Sequence, residues 1–394
     1  MQDFLTKHRW SILAAGAAIQ ILTGIPSVWG VFQDPVRQEY QLEQEPTSFI
    51  LSCIIAAFGL GGVIGGYLQD KFGPRIAGFA GTVLLSGGFV AAGFLPAEKP
   101  WLFYLAFSVP VGLGCAFLYP AVMSCAQKWY ADKKGVATGV IGVAVGFSGA
   151  ALTFLVRWLT GNWGIRVCFW SMAAILFVVC AVGSSLLQNP TTQKQQTAEA
   201  STPKQDYTVK QMLKTKQYWL VTASVALATP AVLLFSPIIL QMAQERGLSE
   251  QVAYWAIIIG AVGSAAGRLS MPALSDKIGR RAVDLLLFAG LFGFSVWFIF
   301  AQGWWMIGVY TALTFCYAAQ AAVLPSLCTD LFGMKNTGVN YGFLALGMGI
   351  GSLGFPLLAR TLHLDAARHW IAIGAAILGA LCLWLLKPTQ GDKI

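Results

Sequence analysis

The chain has 394 residues, of which 56% are apolar and only 11% charged, against roughly a quarter charged in soluble domains. That balance excludes a soluble enzyme, a disordered or collagen-like chain, and a nucleic-acid binder, despite a net charge of +9. What remains is an all-α integral membrane protein, in which 43 Gly suit close helix packing and 14 Trp suit interfacial anchoring.

Taken in chain order, the N-terminal MQDFLTKHRW is basic, and the apolar run after it continues to Phe32. No small-residue cleavage pattern follows a short apolar core, so this is a retained first helix and not a signal peptide. Apolar stretches fall at 10–32, 47–68, 76–95, 101–125, 135–157, 163–187, 217–243, 251–274, 283–301, 303–327, 338–360 and 369–386. Each is close to the ~20 residues that span a bilayer. Twelve such helices use up the chain and leave no room for a soluble catalytic domain. The segment from Asn189 to Gln217 is polar, rich in Thr, Gln and Lys, and holds Pro190 and Pro203. The expected organisation is therefore a six-helix bundle over 1–188, a cytoplasmic linker over 189–216 and a second six-helix bundle over 217–394.

Of the 26 Lys and Arg, 18 fall on the side that holds both termini and the linker, and 7 on the other. By the positive-inside rule, both termini and the linker are expected in the cytoplasm of a cell's inner (plasma) membrane. The eight cysteines lie in or at the ends of apolar stretches with no CxxC, and His8, His363 and His369 lie at ends or loops. Neither a metal site, a disulfide framework nor a cofactor motif is indicated, and no paired catalytic groups occur in the helices.

The two halves repeat. Asp70-Lys-Phe-Gly-Pro-Arg75 follows the second stretch and Asp276-Lys-Ile-Gly-Arg-Arg281 the eighth, 206 residues on. Pro120 and Pro325, and Gly139 and Gly342, recur at nearly the same offset. This spacing argues for parallel duplicated halves related by a pseudo-two-fold axis. Gly73 permits a tight turn, Asp70 can face the positive N-terminus of a neighbouring helix, and Arg75 can pair with a carboxylate. Asp70, Arg75, Asp276, Arg280, Gly66 and Gly73 are thus the expected gating set.

The segment Gly66-Tyr-Leu-Gln-Asp70-Lys-Phe-Gly73-Pro-Arg75 fits GxxxDxxGxR and resembles the loop 2–3 signature of the major facilitator superfamily. In the second copy Pro272 replaces the first Gly. Lys128-Trp129-Tyr-Ala-Asp132-Lys-Lys-Gly135-Val-Ala-Thr-Gly139 resembles the helix 4–5 loop of the oxalate/formate antiporter family, which is akin to the monocarboxylate transporters. Pro325-Ser326, Asp330-Leu-Phe-Gly333 and Asn340-Tyr341-Gly342-Phe343 are similar to its helix 10–11 region, and Asp206-Tyr207-Thr208 with Gln217-Tyr218-Trp219 to its helix 7 start. The resemblance implies twelve helices around a central substrate site, alternating access, no cofactor, and function as a monomer in the bilayer.

Only Arg268 is a charge well inside an apolar stretch, about 12 Å of helix rise from Asp276. Burial at that depth costs at least ~2.5–3.5 kcal/mol, so Arg268 must face a wet cavity or a partner. With no acidic residue at matching depth, the expected partner is an anionic substrate, which guanidinium grips bidentately. The resemblance agrees, placing a substrate-binding arginine there. The oxalate/formate antiporter carries a second cation on helix 11, where Met348 stands here. One cation suits one carboxylate, which favours lactate- or pyruvate-like anions over oxalate. Tyr119, Tyr317, Gln320, Gln20 and Trp29 complete the expected substrate set. Proton symport and anion exchange both stay open, as does another organic anion such as oxalate or formate.

Overall fold

The computed structural model describes residues 9–42, 44–96, 99, 101–130, 134–190, 206–333, 336–361 and 367–386. Both expected cytoplasmic termini, and 191–205 of the expected linker, lie outside the described residues. Eleven described segments are long and apolar enough to cross a membrane. They are α1 (Trp10–Tyr40), α2 (Phe49–Phe72), α3 (Pro74–Phe94), α4 (Trp101–Trp129), the 50-residue Ala137–Leu186, α7 (Lys216–Glu245), α8 (Glu250–Ile278), α9 (Arg280–Phe300), α10 (Gly303–Phe332), α11 (Thr337–Thr361) and α12 (Ala367–Trp384).

Ala137–Leu186 cannot be one straight rod. Fifty residues would reach about 75 Å, against a hydrocarbon thickness of about 30 Å. It reverses at Gly164, whose φ of 78° and ψ of 172° are not helical. Its far end returns to where the segment began: Trp129 Nε1 donates to the Gln188 carbonyl at 2.6 Å. It therefore supplies α5 before Gly164 and α6 after it, and the chain makes the twelve passes its apolar stretches predict.

Proline and glycine break two of the central helices. α1 is interrupted at Gly24, ahead of Pro26. α7 breaks into four short pieces, with turns at Pro230 and a 3-10 segment at Ser236–Ile238 that contains Pro237. α4 contains a π-helical stretch at Tyr104–Ser108 just before Pro110. Pro356, by contrast, sits inside α11 without ending it.

The chain packs as two bundles, α1–α6 and α7–α12. Two crossings dominate the seam between them, α2 against α11 and α5 against the cavity-facing side of α8. At the first, Gly62 meets Gly342 and Gly66 meets Gly338, so close that a methyl group at 66 would sit 2.3 Å from the Gly338 carbonyl oxygen. At the second, Gly146 leaves no room for a Cβ against the Ala265 backbone. Loose carbonyls at helix ends are capped by arginines. Arg246 donates to the Phe298 and Ala301 carbonyls at 2.7 and 3.0 Å, and Arg281 to the Leu383 carbonyl at 3.0 Å and that of Trp384.

Candidate functional site

A cavity of about 190 Å³ lies between the bundles. It is lined from α1, α2, α4 and α5 on one side and α7, α8, α10 and α11 on the other. The helix breaks at Gly24 and at Ser236–Ile238 both border it. Backbone irregularity at membrane depth is tolerated where it lines such a space.

Arg268 on α8 lines this cavity and is the only charged residue among the described ones that do. It makes no ion pair or hydrogen bond with the described residues, and its Nε is buried without a partner. Three tyrosines line the same cavity: Tyr119 of α4, Tyr317 of α10 and Tyr341 of α11. Tyr119 and Tyr341 belong to opposite bundles, and their rings stack with centroids 6.1 Å apart. An anion at Arg268 would therefore meet donors from both bundles at once.

Of the sequence-predicted residues, Arg268, Tyr119, Tyr317, Gln20 and Met348 line the cavity. Gln20 accepts from the Thr23 hydroxyl at 3.0 Å, leaving its amide nitrogen unpartnered and buried. Trp29 and Gln320 do not line it. Trp29 is fully buried in an aromatic cluster within the first bundle, 6.1 Å from Phe32 and 5.8 Å from Phe107 between ring centroids. Gln320 is buried on α10, outside the cavity wall. Both lie on cavity helices but on faces turned away, which a linear sequence does not reveal.

The gating residues occupy one end of the molecule, the Asp70 face. Asp70 and Asp276 stand in the last turns of α2 and α8, not in extended loops; single residues, Gly73 and Gly279, make the turns, with φ of 88° and 94°. Asp70 Oδ2 accepts from Val339 N–H at 3.1 Å, at the start of α11 in the other bundle. This is the expected meeting of a carboxylate with a helix N-terminus. Arg75 differs from expectation: among described residues it pairs with no carboxylate and lies over the Phe79 ring, 6.0 Å from its centroid. Arg280 works within its own bundle, bonding Asp276 and Ser275, and reaching Asp330 at 3.3 Å and the Pro272 carbonyl at 3.2 Å. It thereby ties α8, α9 and α10 together. Tyr207, after the undescribed linker residues, docks on the same end. Its N–H donates to the Phe332 carbonyl at 2.9 Å, and its carbonyl accepts from Asn336 and Asn340.

Sequence reasoning missed one carboxylate. Asp284, at the edge of the ninth apolar stretch, is 1% exposed, and neither carboxylate oxygen has a partner. The nearest charge is Arg280, one turn earlier, whose donors are already engaged.

At the opposite end, which carries Glu39, Arg166 Nε donates to Glu39 at 2.7 Å within the first bundle. The bundles meet there through Arg157, 3.8 Å above the Tyr254 ring centroid.

The sequence pattern of the Major Facilitator Superfamily matches residues 12–240 and again 224–393. The chain belongs to the Major Facilitator Superfamily. The two matches overlap within α7. Among curated relatives, this superfamily member is 25% identical over 88% of its length to the uncharacterized MFS-type transporter YhjX of Escherichia coli K12, covering 86% of that protein. It is 26% identical to the oxalate:formate antiporter of Oxalobacter formigenes, over 86% of this chain and 81% of that one. It is 24% identical to monocarboxylate transporter 13 of Rattus norvegicus, over 96% and 88%. Its fold matches the partially occluded, inward-open xylose transporter XylE of E. coli with a TM-score of 0.72, over 98% of this chain and all of that one, at 16% identity. It is thus a multi-pass membrane transporter of the superfamily.

Proposed function

We propose that this transporter moves small monocarboxylates, lactate- or pyruvate-like anions, across the cytoplasmic membrane by alternating access. The observation that carries the reading is Arg268: a lone, unpartnered cation in a cavity shared by both bundles. Its uncompensated charge is the recognition element, and a single carboxylate neutralises it. Met348 on the cavity wall supplies no second cation, so a dicarboxylate would keep one charge unpaired in a poor dielectric. The relatives named for oxalate, formate and monocarboxylates support an anionic cargo.

In this reading the bundles 1–188 and 217–394 rock about the anion. Tyr119 and Tyr341, one from each, report its arrival to both. Asp70 on the α11 N-terminus holds the cytoplasmic side shut, with Gly66 and Gly73 allowing the close approach and Asp276 and Arg280 bracing the second bundle. The lysines and arginines of that face set it, and both termini, in the cytoplasm. The carrier works as a monomer in the inner membrane. Coupling is by proton symport or by exchange of one acid for another. Counterflow of labelled lactate in proteoliposomes tests the reading. Lactate-driven uptake that pyruvate competes for, and oxalate does not, is expected; strict failure of every monocarboxylate to exchange would reject it.

A further inference from the structure

The cavity is much longer than the anions just proposed. On α8 its wall runs from Ile257 to Arg268, on α1 from Gln20 to Gly30, and on α10 from Tyr310 to Ala321. Each run is eleven or twelve residues, a rise of about 15–17 Å along a helix. A two- or three-carbon acid occupies a fraction of that length.

The two ends differ in chemistry. The Arg268 end holds the charge, with Tyr119, Tyr317 and Tyr341 also on the cavity wall. The far end is walled by Val232, Leu233, Ile257, Gly30 and Pro26. Two of its hydroxyls are engaged: Thr23 donates to Gln20 at 3.0 Å and Thr314 to the Gly260 carbonyl at 2.9 Å. Ser27, Ser236 and Tyr310 supply the few others on this wall. No charged residue lines this end. A polar substrate part placed there would lose water and find almost nothing in exchange, whereas an apolar part loses nothing.

Resting on the Arg268 reading above, we propose that the same site also takes, and binds more tightly than the small acids, elongated amphipathic monocarboxylates, with the carboxylate at Arg268 and an alkyl or aryl tail in the Val232–Leu233–Ile257 end. The tail, not the head, then sets which acid is preferred, because every monocarboxylate presents the same head. Gly30 keeps the tail end open: a Cβ there would meet Ile257 Cδ1 and the Ser236 carbonyl at 3.5 and 3.6 Å, so larger side chains would fill the space the tail needs.

The test is binding of an acid series, acetate, butanoate, hexanoate and 3-phenylpropanoate, to the purified full-length carrier by calorimetry. Arg268→Ala serves as the control that subtracts partition into detergent. Each buried methylene should tighten Arg268-dependent binding about fourfold, from ~0.8 kcal/mol per methylene. Hexanol and hexylamine should not bind. In Ile257→Trp, and independently in Gly30→Val should the former fold poorly, the hexanoate-to-acetate affinity ratio should fall at least tenfold. Arg268-dependent binding that is flat or weakens with length would overturn the tail subsite while leaving the anion site standing. Binding of no acid, or binding equal in Arg268→Ala, would overturn both.

Discussion

Alanine substitutions along the α2–α11 crossing test the packing on which gating depends. A methyl group at 66 would lie 2.3 Å from the Gly338 carbonyl oxygen, 2.5 Å from its carbon and 2.9 Å from Val339 N. All three are backbone atoms, so no rotamer change relieves the overlap. Contact at about 3.5–4.0 Å is restored only by moving the helices apart by more than 1 Å. Overpacking of this kind costs about 1–3 kcal/mol. The penalty falls on the state in which the two backbones touch, so Gly66→Ala should shift the equilibrium toward opening at the Asp70 face by roughly 5- to 150-fold. The neighbouring pair gives an internal control. At Gly342 a Cβ would sit 2.3 Å from the Gly62 carbonyl oxygen, whereas at Gly62 it would meet nothing nearer than 3.4 Å. Gly342→Ala should therefore be severe and Gly62→Ala mild, although the two residues touch each other. Maleimide labelling of Ala321→Cys from the Asp70 side, with the native cysteines replaced, reads the opening. Equal effects of Gly62→Ala and Gly342→Ala, or a silent Gly66→Ala, would refute the reasoning.

Asp70→Asn removes the charge that meets the α11 N-terminus, an interaction of about 0.3–1 kcal/mol. It should slow counterflow while leaving substrate Kd within about twofold, and a large loss of affinity at normal turnover would contradict the gating role. Asp284→Leu replaces a buried carboxylate that has no hydrogen-bond partner by an apolar group of similar size. It should raise the unfolding midpoint in detergent by the equivalent of about 1–3 kcal/mol, and a lowered midpoint would show that Asp284 has a stabilising partner. Met348→Lys adds a second cation to the cavity wall. It should shift competition against labelled lactate toward oxalate, and an unchanged preference would detach selectivity from charge counting.

The twelve passes were legible because each needs about 20 apolar residues, a signal no packing detail can hide. A break between the fifth and sixth stretches was equally legible, although it falls at Gly164, just inside the expected sixth stretch. Arg268 stood out for the same reason: one charge in an otherwise uncharged run has few physical explanations. The faces of helices were not legible. Trp29 and Ser27 sit two residues apart on α1, and only packing decides that the first enters the aromatic cluster and the second the cavity. Asp284 escaped notice because the edge of an apolar stretch says nothing about depth; depth is set by the packing of α9 against α10 and α12. Arg75 looked like a salt-bridge partner by composition, but no described carboxylate lies within ion-pair distance and its guanidinium lies over the Phe79 ring. Tyr341 was visible as part of a segment near Gly342, yet its place beside Tyr119 depends on two distant helices meeting.

Titration of purified Arg268→Ala with the tightest-binding monocarboxylate tests the central claim most directly. Breaking a desolvated charge pair typically costs about 3–5 kcal/mol, so affinity should fall more than a hundredfold, with Arg268→Lys in between because it keeps the charge but loses the planar fork. Unchanged affinity in a variant that melts like the parent would mean that the anion binds elsewhere and that Arg268 only braces α8.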